Sequence, residues 1–347
     1  MHGVVMKDGQ LTWSPVDEPT PAQGQVLVRT LTCGICGTDL HAREHIHEFL
    51  HGLEKTGTAL ATVPENGVVF GHEFCAEILD HGPGTEARFK PGTRVVGLPF
   101  LTSTRGAEYV GYSDRYPGGF GERMVLTEKL LFEVPNGLAA PQAALTEPFS
   151  VGAHAVARAN IQGESVIVVV GCGPIGLAVI AALKARGLGP VIGVDFSPGR
   201  RRFAEAMGAD EVVDAAVETQ GSIWSRYGAG RRGRQGVVFE CVGRPGVAQG
   251  VIDEAPRNAL VVIVGNVLTD SVIDQVVAFN KELDIRFSLN YSPAEFQQTL
   301  RDIAEGAIAT DNMITGVVAP EDINQAFDDL RDGERHAKIV VSFENRG

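Results

Sequence analysis

Residues 166–183 read VIVVVGCGPIGLAVIAAL, and the reading of this stretch decides the fold. By length and apolarity it approaches a membrane span. A glycine-rich turn in its first half and a β-branched run before it point instead to a buried strand, a turn and a buried helix. Gly171, Gly173 and Gly176 stand in G-x-G-x-x-G spacing, with Pro174 and Ile175 opening the helix. In such a unit the first glycine permits the tight turn, the second lets the backbone approach a pyrophosphate, and the third lets helix and strand pack closely. The helix N-terminus adds free N–H groups and a favourable dipole for the phosphates.

Working outward, VIGVD ends in Asp195, nineteen residues after Gly176. A carboxylate there accepts both ribose hydroxyls of an adenosine and repels a 2′-phosphate, which favours NAD over NADP. Arg200, Arg201 and Arg202 follow beside the adenine ribose and pull the other way. Two more strand ends, CVG at 241–243 and VGN at 264–266, place Cys241, Val242 and Gly265 to line the nicotinamide half. Cys172 and Cys241 otherwise read as small buried fillers.

From residue 164 to 290 strand patterns alternate with helix patterns, the signature of a doubly wound parallel sheet. LDIRFSLN at 283–290 is its far edge, and SPAEFQQTLRDIAEG, EDINQAFDDLRDG and HAKIVVSFE follow as two helices and a closing strand. The first 150 residues have another texture: LVRTLTC, GVVFGHEFCAEIL, GTRVVGL and ERMVL are short strands bounded by glycine and proline. HAREHIHEFLHGLEKTG reads as a helix of about three to four turns.

At 347 residues the chain is longer than one typical domain. A net charge of −13 disfavours nucleic acid and anionic membranes. The basic loop GAGRRGRQG is short and glycine-rich, a solvated turn. Five scattered cysteines are no disulfide framework, and MHGVVMKDGQLTW lacks a basic head and apolar block; both fit a cytosolic protein.

TCGICGTDLH at 32–41 and GHE at 71–73 carry Cys36, His72 and Glu73, a mixed set suited to Zn²⁺ with a position left open for chemistry. Cys36 and His72 are 36 residues apart, far outside the spacing of a structural finger. Glu147, in LTEPF before the nucleotide unit, is a fourth candidate, able to ligate directly or to exchange with Glu73.

Together, TCGICGTDLH, GHE, TEPFSVGAHA, GCGPIG and Asp195 resemble, in order and over about residues 3–343, the zinc-containing medium-chain alcohol and polyol dehydrogenases. Glu147 places the resemblance nearer the sorbitol, threonine and glucose dehydrogenase branch. The resemblance implies an α/β protein: a GroES-like β-rich catalytic domain (1–155, resumed at 291–347), a doubly wound Rossmann domain (156–290), and one catalytic zinc between them. It implies zinc ligation by Cys36, His72, Glu73 and Glu147, and a proton relay from Thr38 through His41. Asp39 takes the free N–H of His72, Lys338 contacts the cofactor phosphates, and His154 is structural.

Two departures stand out. PFLTSTRGAEYVGYSDRYPGG has none of the four cysteines that hold a structural zinc in many members, so one zinc per chain is expected and that lobe is held by packing or lost. The stretch between Cys36 and His72 is long and carries His45, His47 and His51, a solvated helix face or a cover over the cleft. The implied activity is reversible NAD-linked oxidation of a secondary alcohol, polyol or sugar by a homo-oligomer, dimer or tetramer. The rivals are a zinc-free quinone or enone reductase of the same superfamily and an inactive nucleotide-binding protein.

Overall fold

A computed structural model describes residues 1–49, 67–103, 106–230, 233–267 and 269–344. Its central feature is a six-stranded, wholly parallel sheet in the order Glu211–Asp214, Val191–Asp195, Ser165–Val170, Gln235–Glu240, Leu260–Ile263, Asp284–Phe287. Strand order reverses between Ser165–Val170 and Gln235–Glu240, so the crevice at their carboxyl ends is the ligand position of a doubly wound sheet. Val166, Ile167, Val168 and Val169 are buried because helices cover both faces. One face packs against the helices Thr146–Ala159 and Pro174–Ala185, the other against Gln220–Tyr227 and Val247–Glu254. No helix of the described residues is long and apolar enough to cross a membrane.

The remainder builds a second, seven-stranded sheet. Its path runs Leu131–Glu133, Arg94–Gly97, Glu73–His81, Gln25–Gly34, Lys338–Ser342, Ile314–Val318, with Arg123–Thr127 also paired to Gln25–Gly34. The last strand of the chain thus inserts beside one of the first, Val340 opposite Gly34. The seven-stranded sheet and the parallel doubly wound sheet are the two halves the sequence implied.

Between the halves lie two helices. Thr146–Ala159 is continuous, because Pro148 falls in its first turn, where a proline costs no internal hydrogen bond. Read from the sequence alone, SVGAHAV has His154 opening a helix, with the proline and glycine after Glu147 spoiling the register; the continuous helix corrects that expectation. The amphipathic helix Pro293–Ala304 is capped reciprocally by Ser292 and Glu295. It sends Phe296 and Leu300 against the seven-stranded sheet and Ile303 into the Rossmann core.

A second correction concerns HAREHIHEFL. The helix begins earlier, at Gly37, and its first segment ends at Glu44 with a break at His45. Asp39, in the first turn, reaches back to the N–H of Cys36 at 2.9 Å and so starts the helix there. His51 and the rest of that insertion lie outside the described residues. The cysteine-free stretch forms a hairpin, Phe100–Ser103 with Gly106–Tyr109, tied by the buried Glu108 carboxylate to Ser103, Ser113 and Arg115.

Gly176 shows why the nucleotide turn tolerates no side chain: a Cβ there would lie 1.8 Å from the Gly171 carbonyl oxygen. Gly176→Ala is therefore expected to destabilise by about 1–3 kcal/mol. Thermal melting reads this as a lowered transition; an unchanged melting temperature would mean that the turn can yield.

Candidate functional site

The metal candidates converge through strand register. In the antiparallel pair of Gln25–Gly34 with Glu73–His81, Gly34 sits opposite Glu73. Cys36 leaves one strand just where His72 and Glu73 enter the other. Gly34 has no side chain for a reason: a Cβ would stand 2.1 Å from Glu73 Oε2. Gly71 turns into GHE with φ +103°, a conformation that favours glycine.

The ligand atoms of Cys36, His72 and Glu73 all lie within 4.8 Å of one another. Two ligands on one tetrahedral zinc stand about 3.3–3.8 Å apart, so a small closure seats an ion. Thiolate, imidazole and carboxylate are the donor types zinc takes. His72 and Glu73 are buried, and His72 Nδ1 has no hydrogen-bond partner at good distance. Among the described residues Asp39 Oδ1 lies 3.5 Å from it, an electrostatic contact rather than a full hydrogen bond. The residues fit a zinc ion.

Glu147 stands beside this trio and outside it. Its Oε1 accepts from the Tyr291 hydroxyl at 2.8 Å. Burial raises its pKa to about 7; Glu73 adds to that, while His72, Tyr291 and Lys338 oppose it. Burial alone would lower the His72 pKa, but Asp39 and Cys36 outweigh it and hold the imidazole well above its ordinary value.

Lys338 is not at the cofactor phosphates. Its side chain is buried, 1% exposed, and donates at 2.7 Å to each oxygen of Glu73 and at 2.9 Å to the Ile35 carbonyl. Burial opposes its charge, and Glu73, then Cys36, restore it and more, so its pKa is raised. The inserted last strand aims it inward. Ligation by Glu73 therefore means sharing its carboxylate with this ammonium, at the cost of part of a buried pair.

Thr38 Oγ1 lies 3.6 Å from Cys36 Sγ, and His41, one turn further along the same helix, is exposed. His154 bonds Glu295 at 3.0 Å, fastening the two junction helices away from the metal ligands.

At the nucleotide turn a Cβ on Gly173 would meet nothing within 4 Å, leaving open space over the helix N-terminus of Pro174 and Ile175. Asp195 is buried: Oδ2 accepts from the Cys172 N–H at 2.8 Å and Oδ1 from that of Ser197 at 2.9 Å. Of the arginines, Arg201 is committed to Asp214 and to the Asp195 carbonyl, and Arg202 to the Glu334 carbonyl. Arg200 stays nearest, 3.9 Å from Asp195 Oδ2. Glu240 Oε1 accepts from Val242 and Gly243, fixing the turn that bears Cys241 and Val242, and Gly265 packs directly against Gly243.

Sequence reasoning missed Tyr109, Tyr112, Tyr291 and Phe196. The tyrosines reach the site from a hairpin strand end (Tyr109) and two loops (Tyr112, Tyr291) distant in the chain, with no periodic signal. Phe196, 72% exposed and next to Asp195, was legible as an apolar residue at a strand end.

Residues 22–136 match the alcohol dehydrogenase GroES-like domain, and residues 174–305 match the zinc-binding dehydrogenase family. (R,R)-butanediol dehydrogenase of Bacillus subtilis (strain 168) is 32% identical over 337 residues, covering 94% of this chain and 94% of that protein. Sorbitol dehydrogenase of the same organism is 29% identical over 340 residues, covering 93% and 91%. The crystal structure of 2R,3R-butanediol dehydrogenase from Bacillus subtilis superposes with a TM-score of 0.83 at 27% identity, covering 98% of this chain and 99% of that one. The chain belongs to the zinc-type medium-chain dehydrogenase/reductase family.

The raised Glu147 pKa has a sign that can be worked out. Between the ordinary carboxylate value and about 7 the folded chain holds a proton that the unfolded chain lacks, so this group's contribution to stability falls as pH rises through that window. In chelator-stripped protein, Glu147→Gln is expected to melt higher than wild type at pH 8, with the difference shrinking toward pH 5. A constant offset across that range would contradict the assignment.

Proposed function

We propose that the protein is an NAD-dependent, zinc-dependent dehydrogenase that interconverts a secondary alcohol, polyol or sugar with its carbonyl product. The observation that carries this reading is the clustering of Cys36, His72 and Glu73, with Glu147 beside them, at the junction with the Rossmann crevice. When bound, zinc supplies a Lewis acid for the substrate oxygen and NAD a hydride acceptor.

The chain's own residues do the rest. Cys36, His72 and Glu73 hold the ion, with Glu147 placed to replace or supplement Glu73. Thr38, half-buried beside Cys36, accepts a hydrogen bond from the substrate hydroxyl and, as it takes that proton, gives up its own along the relay toward His41. His41 sits one turn on at the solvent edge, where its imidazole takes up that proton on one nitrogen and releases one to water. Gly171, Gly173 and the backbone N–H groups of Ile175 and Gly176 receive the pyrophosphate, with Pro174 setting the first turn of the helix. Asp195 receives the adenosine ribose, and Cys241, Val242 and Gly265 border the nicotinamide half. The donor set speaks against a zinc-free reductase, for which a half-buried thiol and a buried imidazole at one point have no use.

Assembly through the edge of the Rossmann sheet supports a homo-oligomer, a dimer or a pair of dimers. Asp284–Phe287 is an edge strand, and Phe279, Phe287 and Leu289 beside it are 83%, 63% and 71% exposed. The Glu73 and Glu147 arrangement supports the polyol-type branch over one with a second zinc cysteine.

Three measurements test the reading. Metal analysis is expected to give about one zinc per chain, lost in Cys36→Ala; two per chain would contradict it. Asp195→Ala should weaken NAD binding roughly tenfold or more while easing NADP, and an unchanged preference refutes the ribose assignment. With NAD, a panel of polyols, diols and sugars should show turnover that His41→Ala slows most at low pH. Zinc-loaded, NAD-binding protein inert across the panel would favour the inactive reading.

A further inference from the structure

We infer that Tyr112 is a positioning residue for the metal site, acting through Asp39. The inference rests on the zinc reading above and deepens it. Asp39 is fully buried. One carboxylate oxygen accepts from the N–H of Cys36 at 2.9 Å, and the other lies 3.5 Å from His72 Nδ1. A single acidic group thus addresses both residues that contribute sulfur and nitrogen.

An Asp carboxylate turns easily about its terminal torsion, where the energy surface is broad. The Tyr112 hydroxyl removes that freedom by donating to Asp39 Oδ1 at 2.7 Å. This is the oxygen that faces His72. The tyrosine is itself immobile: its ring packs against Phe49 at 4.8 Å, Phe70 at 5.5 Å and the His72 imidazole at 5.4 Å between centroids. It therefore holds the histidine by its ring and the histidine's carboxylate by its hydroxyl. Through Tyr109 and Tyr112 the cysteine-free segment supplies a wall of the metal site.

Tyr109 provides an internal control. It also approaches His72, at 6.4 Å between rings, but its hydroxyl donates to Asn290 Oδ1 at 3.4 Å and not to Asp39. If ring packing alone mattered, losing either hydroxyl would have no consequence for the metal. If the hydroxyl bond to Asp39 matters, only Tyr112→Phe will be felt. Partners that orient a ligating histidine typically change metal affinity by about 10- to 100-fold when removed.

The test is zinc affinity of the full-length protein, measured by competition with a chromophoric chelator, alongside melting of the metal-free form. Tyr112→Phe is expected to bind zinc about 10- to 100-fold more weakly with little change in metal-free melting, while Tyr109→Phe binds as wild type. Tyr112→Phe combined with Asp39→Asn should bind no more weakly than Asp39→Asn alone, because one pathway is removed twice. Wild-type affinity in Tyr112→Phe, equal losses in both tyrosine variants, or additive losses in the double variant would overturn the role and leave the zinc reading standing. A Tyr112→Phe chain that fails to fold would show that the hydroxyl serves the fold and not the site. Wild-type protein that takes up no zinc would overturn both.

Discussion

Everything chemical in this molecule depends on one strand register, the pairing that sets Gly34 opposite Glu73. Because side chains alternate along a strand, a slip of one residue would turn Glu73 to the other face and carry His72 away from Cys36. The register is secured from both sides. Gly34 leaves the space that the Glu73 carboxylate fills, and the strand Lys338–Ser342 then lies along the other edge of Gln25–Gly34. That last strand brings Lys338 to the same carboxylate, so the buried charge is balanced within the fold. An early strand and the last one meet at the candidate metal site.

The second constraint is the junction. Helix Thr146–Ala159 starts with Glu147 facing the metal ligands and continues as a wall of the Rossmann core. Helix Pro293–Ala304 is bound to it by His154 with Glu295, and Tyr291, just ahead of it, reaches Glu147. The carboxylate whose protonation is most perturbed therefore sits on an element shared by both halves. Cys36 and His72, by contrast, stand just beyond the ends of two paired strands of the seven-stranded sheet.

Much of this was legible in the sequence, for identifiable reasons. The Rossmann half announces itself because continuous β-branched strands, glycine turns and helices are local patterns, and Asp195 follows from a fixed strand–helix–strand length. Cys36, His72 and Glu73 were legible as donors, though their meeting depends on a register that no spacing rule predicts. The roles of Lys338 and Tyr112 were not legible. Lys338 reads as an edge-strand lysine until the topology inserts its strand in the middle of a sheet, and Tyr112 finds Asp39 across 73 residues of chain. Thr146–Ala159 was misread because a proline in a first turn and one in a helix interior look alike in a short window.

The central claim is that a single ion is gripped by one sulfur and one imidazole at the end of paired strands. Zinc K-edge X-ray absorption on the purified protein tests it most directly. The account predicts one sulfur at about 2.3 Å among nitrogen and oxygen neighbours at about 2.0–2.2 Å, with the sulfur contribution gone in Cys36→Ser. A shell of oxygen and nitrogen alone in the wild type, or a sulfur signal that survives in Cys36→Ser, would contradict it.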